Sequence, residues 1–109
     1  MASETPKQYD DISVVCKANV YFDGKVISHT VLFKDGEKKT LGIIYSGSFT
    51  FKTGAPERMD IISGTCKSRL TGHTDWTTFA EGTFFRVPGN SSFDIEVESG
   101  VTEYICSFE

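Results

Sequence analysis

Nine times along this chain a turn-forming residue is followed by glycine: Asp23-Gly24, Asp35-Gly36, Ser46-Gly47, Thr53-Gly54, Ser63-Gly64, Thr71-Gly72, Glu81-Gly82, Pro88-Gly89 and Ser99-Gly100. The segments between them run about five to ten residues, the length of strands and too short for ordinary helices. Asp-Gly and Ser-Gly supply the positive φ that tight hairpins need, and Pro88-Gly89 suits a type II turn. Inside the segments the pattern alternates. Phe93, Ile95 and Val97 fall on one face with acidic residues on the other, Phe49 and Phe51 repeat the pattern, and Tyr104, Cys106 and Phe108 share a face. A period of two with one apolar face predicts antiparallel sheet over a core on one side, and no helical period competes with it. The expected fold is all-β, a jelly-roll barrel or sandwich of about nine to ten short antiparallel strands. Residues 1–17 lack the rhythm and read as a flexible or edge-strand lead-in to a single domain over 18–109.

With 109 residues there is room for one domain and one modest core. No apolar run approaches the ~20 residues of a membrane span, and residues 1–11 hold no apolar stretch to direct export. No membrane association is therefore expected. The net charge is −4 and the eleven Lys and Arg are scattered. A nucleic-acid binder needs a continuous basic face to neutralise phosphates, so no nucleic-acid partner is expected. Three cysteines, Cys16, Cys66 and Cys106, form no disulfide framework and suggest reduced thiols in the cytoplasm.

Among chemistry-bearing motifs, the nucleophile elbow, the P-loop and the dinucleotide fingerprint are all missing. The two histidines, His29 and His73, have no partner ligands in a recognised spacing, and surface or hairpin positions suit them. A more informative stretch begins at Glu57, with six residues between it and Gly64; five residues then lie between Gly82 and Pro88, and seventeen separate the two glycines. This order resembles the two motifs of the cupin superfamily. A metal-binding cupin would carry His-x-His three or four residues before the Glu. Here those places hold Thr50 and Lys52, or Phe51 and Thr53, and the second-motif histidine falls near Phe93. Only Glu57 of the ligand set remains, so no metal and no cofactor is expected. The alternation turns Phe49, Phe51 and Thr53 inward and leaves Thr50 and Lys52 outside.

A closer resemblance runs from about residue 18 to the C-terminus. Tyr21 to Val26, Gly42-Ile43-Ile44, Gly47 to Phe51, Pro56-Glu57, Ile62-Ser63-Gly64, Thr74-Asp75-Trp76, Phe85 to Pro88, Ser92-Phe93 and Tyr104-Ile105-Cys106 together resemble the small bacterial pyrimidine/purine nucleoside phosphorylases of cupin fold. Lys52 and Ser107 depart from that pattern, and no catalytic role is assigned to either. The resemblance implies substrates, a nucleoside and inorganic phosphate, converted to free base and pentose 1-phosphate without a metal. It also implies an oxocarbenium-like sugar that must be stabilised. Glu57 is the candidate for facing that sugar or its hydroxyls; a rim ion pair is the structural alternative. Phe51 and Phe93, with Tyr104 nearby, are candidates for a base platform, against simple ring packing. Thr53 and Ser92 offer hydroxyls to phosphate or ribose, against turn capping. Lys38, Lys39 and Arg86 are available cations, though solvated surface suits each, and Trp76 suits hairpin packing. Small cupins cover sheet edges by pairing, so a homodimer is expected. The alternative function is a non-catalytic cupin binding a sugar or nucleoside, since one fold hosts many functions.

Overall fold

A computed structural model describes residues 5–109. The first four residues of the expected lead-in 1–17 lie outside the described residues. Nine strands follow in order: β1 (Ser13–Val14), β2 (Asn19–Tyr21), β3 (Val26–Leu32), β4 (Lys38–Lys52), β5 (Glu57–Ser63), β6 (Thr65–Leu70), β7 (Thr77–Ala80), β8 (Phe84–Val87) and β9 (Ser92–Phe108). Every ladder between them is antiparallel. The fold is all-β, as the alternation requires.

Two strands are not short. β4 has 15 residues and β9 has 17, and they pair along almost their whole length. Their register slips once, from Tyr45 opposite Val101 to Gly47 opposite Val97. Ser46-Gly47 and Ser99-Gly100, expected to be turns, are the two sides of this slip. Glycine in the left-handed half of conformational space serves a bulge as well as a hairpin, and Gly47 (φ 144°) and Gly100 (φ 67°) take that role here. The bulge bends the pair sharply. On one side of it the sheet reads β3–β4–β9–β5–β8, with β1 and β2 on the outer edge of β3; on the other it reads β4–β9–β6–β7. The two halves turn their apolar faces toward each other. Among the described residues no ladder joins β7 or β8 back to β1, β2 or β3, so the expected barrel is open rather than closed.

The core lies between the halves: Val26, Ile44 and Ile61 from one, Phe93, Ile95 and Val97 from the other, all essentially sealed from solvent. Each such aliphatic side chain contributes about 1.5–3 kcal/mol when buried. One-sided burial fails locally, because Ile105 on the outer face of β9 is only 4% exposed. Pro6, Tyr9 and Ile12 lie across that face, enclosing with it a cavity of about 340 Å³. Tyr9 is anchored edge-on against Phe33 at 5.1 Å.

Pro88-Gly89 is a connection but not the expected type II turn. Positive φ falls on Asn90 (50°) rather than on Gly89. Gly89 is there for space: a Cβ on it would stand 2.9 Å from the Gly54 carbonyl and 3.1 Å from the Pro56 ring. No described helix is long and apolar enough to cross a membrane.

Candidate active site

Strand register sets the inner face out as rows. Thr30, Thr40, Cys106 and Met59 lie side by side across β3, β4, β9 and β5. Ser28, Gly42, Tyr104 and Ile61 form the next row inward, and Phe108 and Glu57 pair in the row outside. Across the gap, Phe51 and Phe93 face each other on the far half of β4 and β9. The bend therefore brings a hydroxyl-rich wall opposite an aromatic one, with a cavity of about 320 Å³ between them. That is within the range of small-molecule sites, roughly 300–1,000 Å³.

Four of the six residues singled out from sequence line this cavity together: Phe51, Glu57, Phe93 and Tyr104. The Phe51 and Phe93 rings are stacked, 5.5 Å apart and 21° from parallel. Thr53 and Ser92 are placed elsewhere. The Thr53 hydroxyl donates to the Pro88 carbonyl at 2.6 Å and accepts from the Ser91 amide at 3.0 Å, tying the β4 end to the β8–β9 connection. Ser92 opens β9 opposite Lys52, outside the cavity lining.

The lining also contains residues that sequence reasoning missed: Ser28, Thr40 and Cys106 on the polar wall, and Tyr21, Phe22 and Phe108 at the mouth. A signal existed for the first group, since Ser28 and Thr30 are two residues apart and must share a strand face. The Asn19 amide donates to both hydroxyls at 3.2 Å. Phe22 is unusual. It opens the Phe22–Gly24 3₁₀ turn with φ 52°, a conformation few bulky residues adopt, and its ring rests 5.0 Å from Phe49 and 5.3 Å from Phe51.

Electrostatically the wall is reluctant to ionise. Burial holds the Glu57 carboxyl above the usual carboxylate range, and the Cys106 thiol, donating to Glu57 Oε1 at 3.4 Å, offsets part of that rise. Burial also pushes the Cys106 thiol and the Tyr104 phenol upward. The neighbouring Ser28 hydroxyl offsets part of the rise at Tyr104, and the Thr40 hydroxyl part of that at Cys106. The Cys106 thiol serves here as a hydrogen-bond donor to Glu57.

The remaining candidates sort by their partners. Lys39 donates to Ser107 Oγ at 2.8 Å and pairs with Glu37 at 3.3 Å, and Arg86 pairs with Glu109 at 3.2 Å. The Lys38 ammonium stands 5.2 Å over the Phe108 ring. Trp76 packs in its hairpin under the Arg69 guanidinium at 4.2 Å. His29 Nδ1 is 3.2 Å from the Val15 carbonyl, and His73 is exposed in the β6–β7 loop. Among the described residues no three His, Cys, Asp or Glu side chains converge.

An open antiparallel jelly roll with a ligand-sized cavity between its halves is a cupin-like fold. The EutQ protein of Clostridium difficile shares the architecture, with a TM-score of 0.63 at 16% identity over 76% of this chain and 67% of that one. Much nearer is the crystal structure of a protein of unknown function from Acinetobacter sp. ADP1, with a TM-score of 0.90 and 49% identity, covering 94% of this chain and 98% of that one. Residues 16–108 match the pyrimidine/purine nucleoside phosphorylase family model. The protein of that name from Cupriavidus necator is 59% identical over 101 residues, 93% of this chain and 95% of the relative. The chain belongs to the pyrimidine/purine nucleoside phosphorylase family.

Proposed function

We propose that this chain cleaves the N-glycosidic bond of both purine and pyrimidine nucleosides with inorganic phosphate, giving free base and pentose 1-phosphate without a metal. Family membership supports the reaction class, and the single structural observation that supports the site is the stacked Phe51–Phe93 pair facing Glu57 across one cavity. In the reaction the C1′–N bond breaks with its electron pair leaving on the base, a phosphate oxygen forms the new C1′–O bond, and a proton ends on the base. The sugar passes through a cationic, oxocarbenium-like state. Glu57 is the carboxyl lining the cavity, and a charge in that partly dry site acts on the cationic sugar more strongly than it would in water. Ring faces recognise any base by stacking, whereas edge-specific hydrogen bonds would select one, which supports broad acceptance. The cavity offers one carboxyl and one thiol, both holding their protons more tightly than usual, a donor set that does not suit a divalent metal.

Uridine and inosine should each yield free base in proportion to added phosphate, at the same rate after exhaustive treatment with chelator. Base release without phosphate would mean a hydrolase. Nucleoside binding without turnover would mean a ligand-binding module.

The free thiols Cys66 and Cys106, both buried, support a reducing, cytoplasmic setting. The working unit in this proposal is a homodimer. Leu41, Ile43, Tyr45 and Val101 form an apolar strip on the outer face of β4 and β9, each 36–46% exposed. A strip of one strand pair can meet its own copy about a two-fold axis. Tyr45→Glu should therefore halve the mass seen by light scattering, and an unchanged mass would place the interface elsewhere.

A further inference from the structure

The reading above leaves the phosphate without a seat, because it assigns the cavity to base and sugar. We propose that inorganic phosphate binds at the cavity mouth over the Phe108 ring, held by the Lys38 ammonium and the Thr40 hydroxyl. This deepens the phosphorylase reading and rests on it for the identity of the anion.

Register makes the case first. Lys39 pairs with Ser107 and Thr40 with Cys106, so Lys38, Thr40 and Gly42 share the inner face of β4. Lys38 is thus an exposed cation just outside the cavity lining, on the cavity side of the strand by register and held above a ring that does line the cavity. Among the described residues it has no carboxylate partner, whereas Lys39 and Arg86 each have one. Lys52 and Thr50 also line the cavity, but on the far half of β4 from Thr40 and Phe108, and the Thr50 hydroxyl is bonded to Asp94 at 2.7 Å. A cation kept over an aromatic face with no counter-ion is free to take an anion without first breaking an ion pair.

The surroundings fit an oxyanion. Thr40 lines the cavity two residues inward, about 7 Å along the strand, a distance a tetrahedral anion spans with its hydrogen bonds. Glu57 sits across Phe108 on the neighbouring strand and would repel a phosphate if it faced Lys38. Its Oε1 is instead turned inward to the Cys106 thiol at 3.4 Å. The seat also has the right relation to the rest of the site. Thr40 comes from one half of the bent sheet and the Phe51–Phe93 pair from the other, and both line the same cavity. Displacement at C1′ needs the entering phosphate and the departing base on opposite sides of the sugar, and this arrangement supplies two opposed ends.

The test is equilibrium dialysis of radiolabelled inorganic phosphate against wild type, Lys38→Met, Lys38→Arg, Lys52→Met and Lys67→Met, with phosphate and nucleoside KM measured in parallel. Lys67, paired with Glu98 at 2.7 Å on β6, controls for loss of surface charge. Loss of one charge-assisted contact should weaken phosphate binding about tenfold to a hundredfold in Lys38→Met and raise the phosphate KM by the same factor. The nucleoside KM should stay within about twofold, and Lys38→Arg should recover most of the loss. Equal phosphate binding by wild type and Lys38→Met, or a loss in Lys52→Met with Lys38→Met unaffected, would overturn the seat. Base release independent of phosphate would overturn the phosphorylase reading alone, because the dialysis still decides whether Lys38 binds the anion.

Discussion

Replacing Glu57 with Gln should lower phosphorolysis by about 10²–10³-fold, the usual cost of removing one well-placed electrostatic group, while leaving the protein at least as stable as before. The second half of that expectation makes the first informative. Burial raises the Glu57 carboxyl above its ordinary range, so the unfolded chain holds the ionised form more readily than the folded protein does. Keeping the charge therefore destabilises the fold. That penalty is absent below the unfolded value, grows as pH rises past it, and is complete above the raised folded value. Gln carries none of it, and its amide oxygen still accepts from the Cys106 thiol. Thermal melts at about pH 7.5 should show Glu57→Gln equal to or above wild type, with the difference closing near about pH 4. A structural carboxylate would behave in the opposite way, losing stability on neutralisation and costing little activity. An active variant with a lowered Tm would move Glu57 out of the chemistry. The same reasoning explains why a half-buried acid sits beside two groups that resist ionisation. Proteins tolerate such local costs where activity needs them.

Much of this fold was legible because antiparallel sheets with one dry face write their geometry into alternate residues. Phe93, Ile95 and Val97 are inward and sealed, and the acids between them, Asp94 and Glu96, are outward and bonded to Thr50 and Ser48. Less legible was what each glycine does. Gly24 and Gly36 sit in connections between strands, but Gly47 and Gly100 make a bulge, Gly89 makes room and Gly42 lies mid-strand. Sequence marks the residue that permits all of these and does not say which is required. The site divides along a similar line. Rings on alternating inward positions were visible, and Glu57 stood out by its place before Gly64 in the cupin-like motif, so Phe51, Glu57, Phe93 and Tyr104 could be named before their meeting in space was known. Thr53 was visible for the wrong neighbourhood, since an inward hydroxyl at a strand end is claimed first by local backbone. Ser28 and Thr40 were hard to single out for the converse reason, the two-residue spacing of Ser28 and Thr30 being the one trace of the polar wall. Each is an ordinary strand residue until cross-strand register sets it beside Tyr104 or Cys106.

Gly42 carries the second large expected effect. It pairs directly with Tyr104, and a Cβ built on it would fall inside the van der Waals envelope of the Tyr104 ring. The φ of Gly42 is not in the left-handed region, so space rather than backbone freedom demands glycine here. The aromatic ring lies over the bare backbone of its partner strand, an arrangement that stabilises sheets around glycine. Here it also aims the phenol at Ser28. Gly42→Ala must push that ring off its seat and toward the cavity. Overpacking of this kind costs about 1–3 kcal/mol, a Tm loss of roughly 5–20 °C in a domain this size. Nucleoside turnover should fall at least about tenfold, since a displaced ring intrudes where the substrate would lie. A double-mutant cycle separates this mechanism from general damage to β4. Tyr104→Ala alone should cost about 3–5 kcal/mol through its cavity. With the ring gone, adding Gly42→Ala should cost nothing and could return about 0.5–1 kcal/mol, because alanine suits a strand interior better than glycine. The coupling between the two sites should then be on the order of 1–3 kcal/mol, read from denaturant melts of the four proteins. Strictly additive losses would mean that Gly42 is needed for something other than the seat of Tyr104.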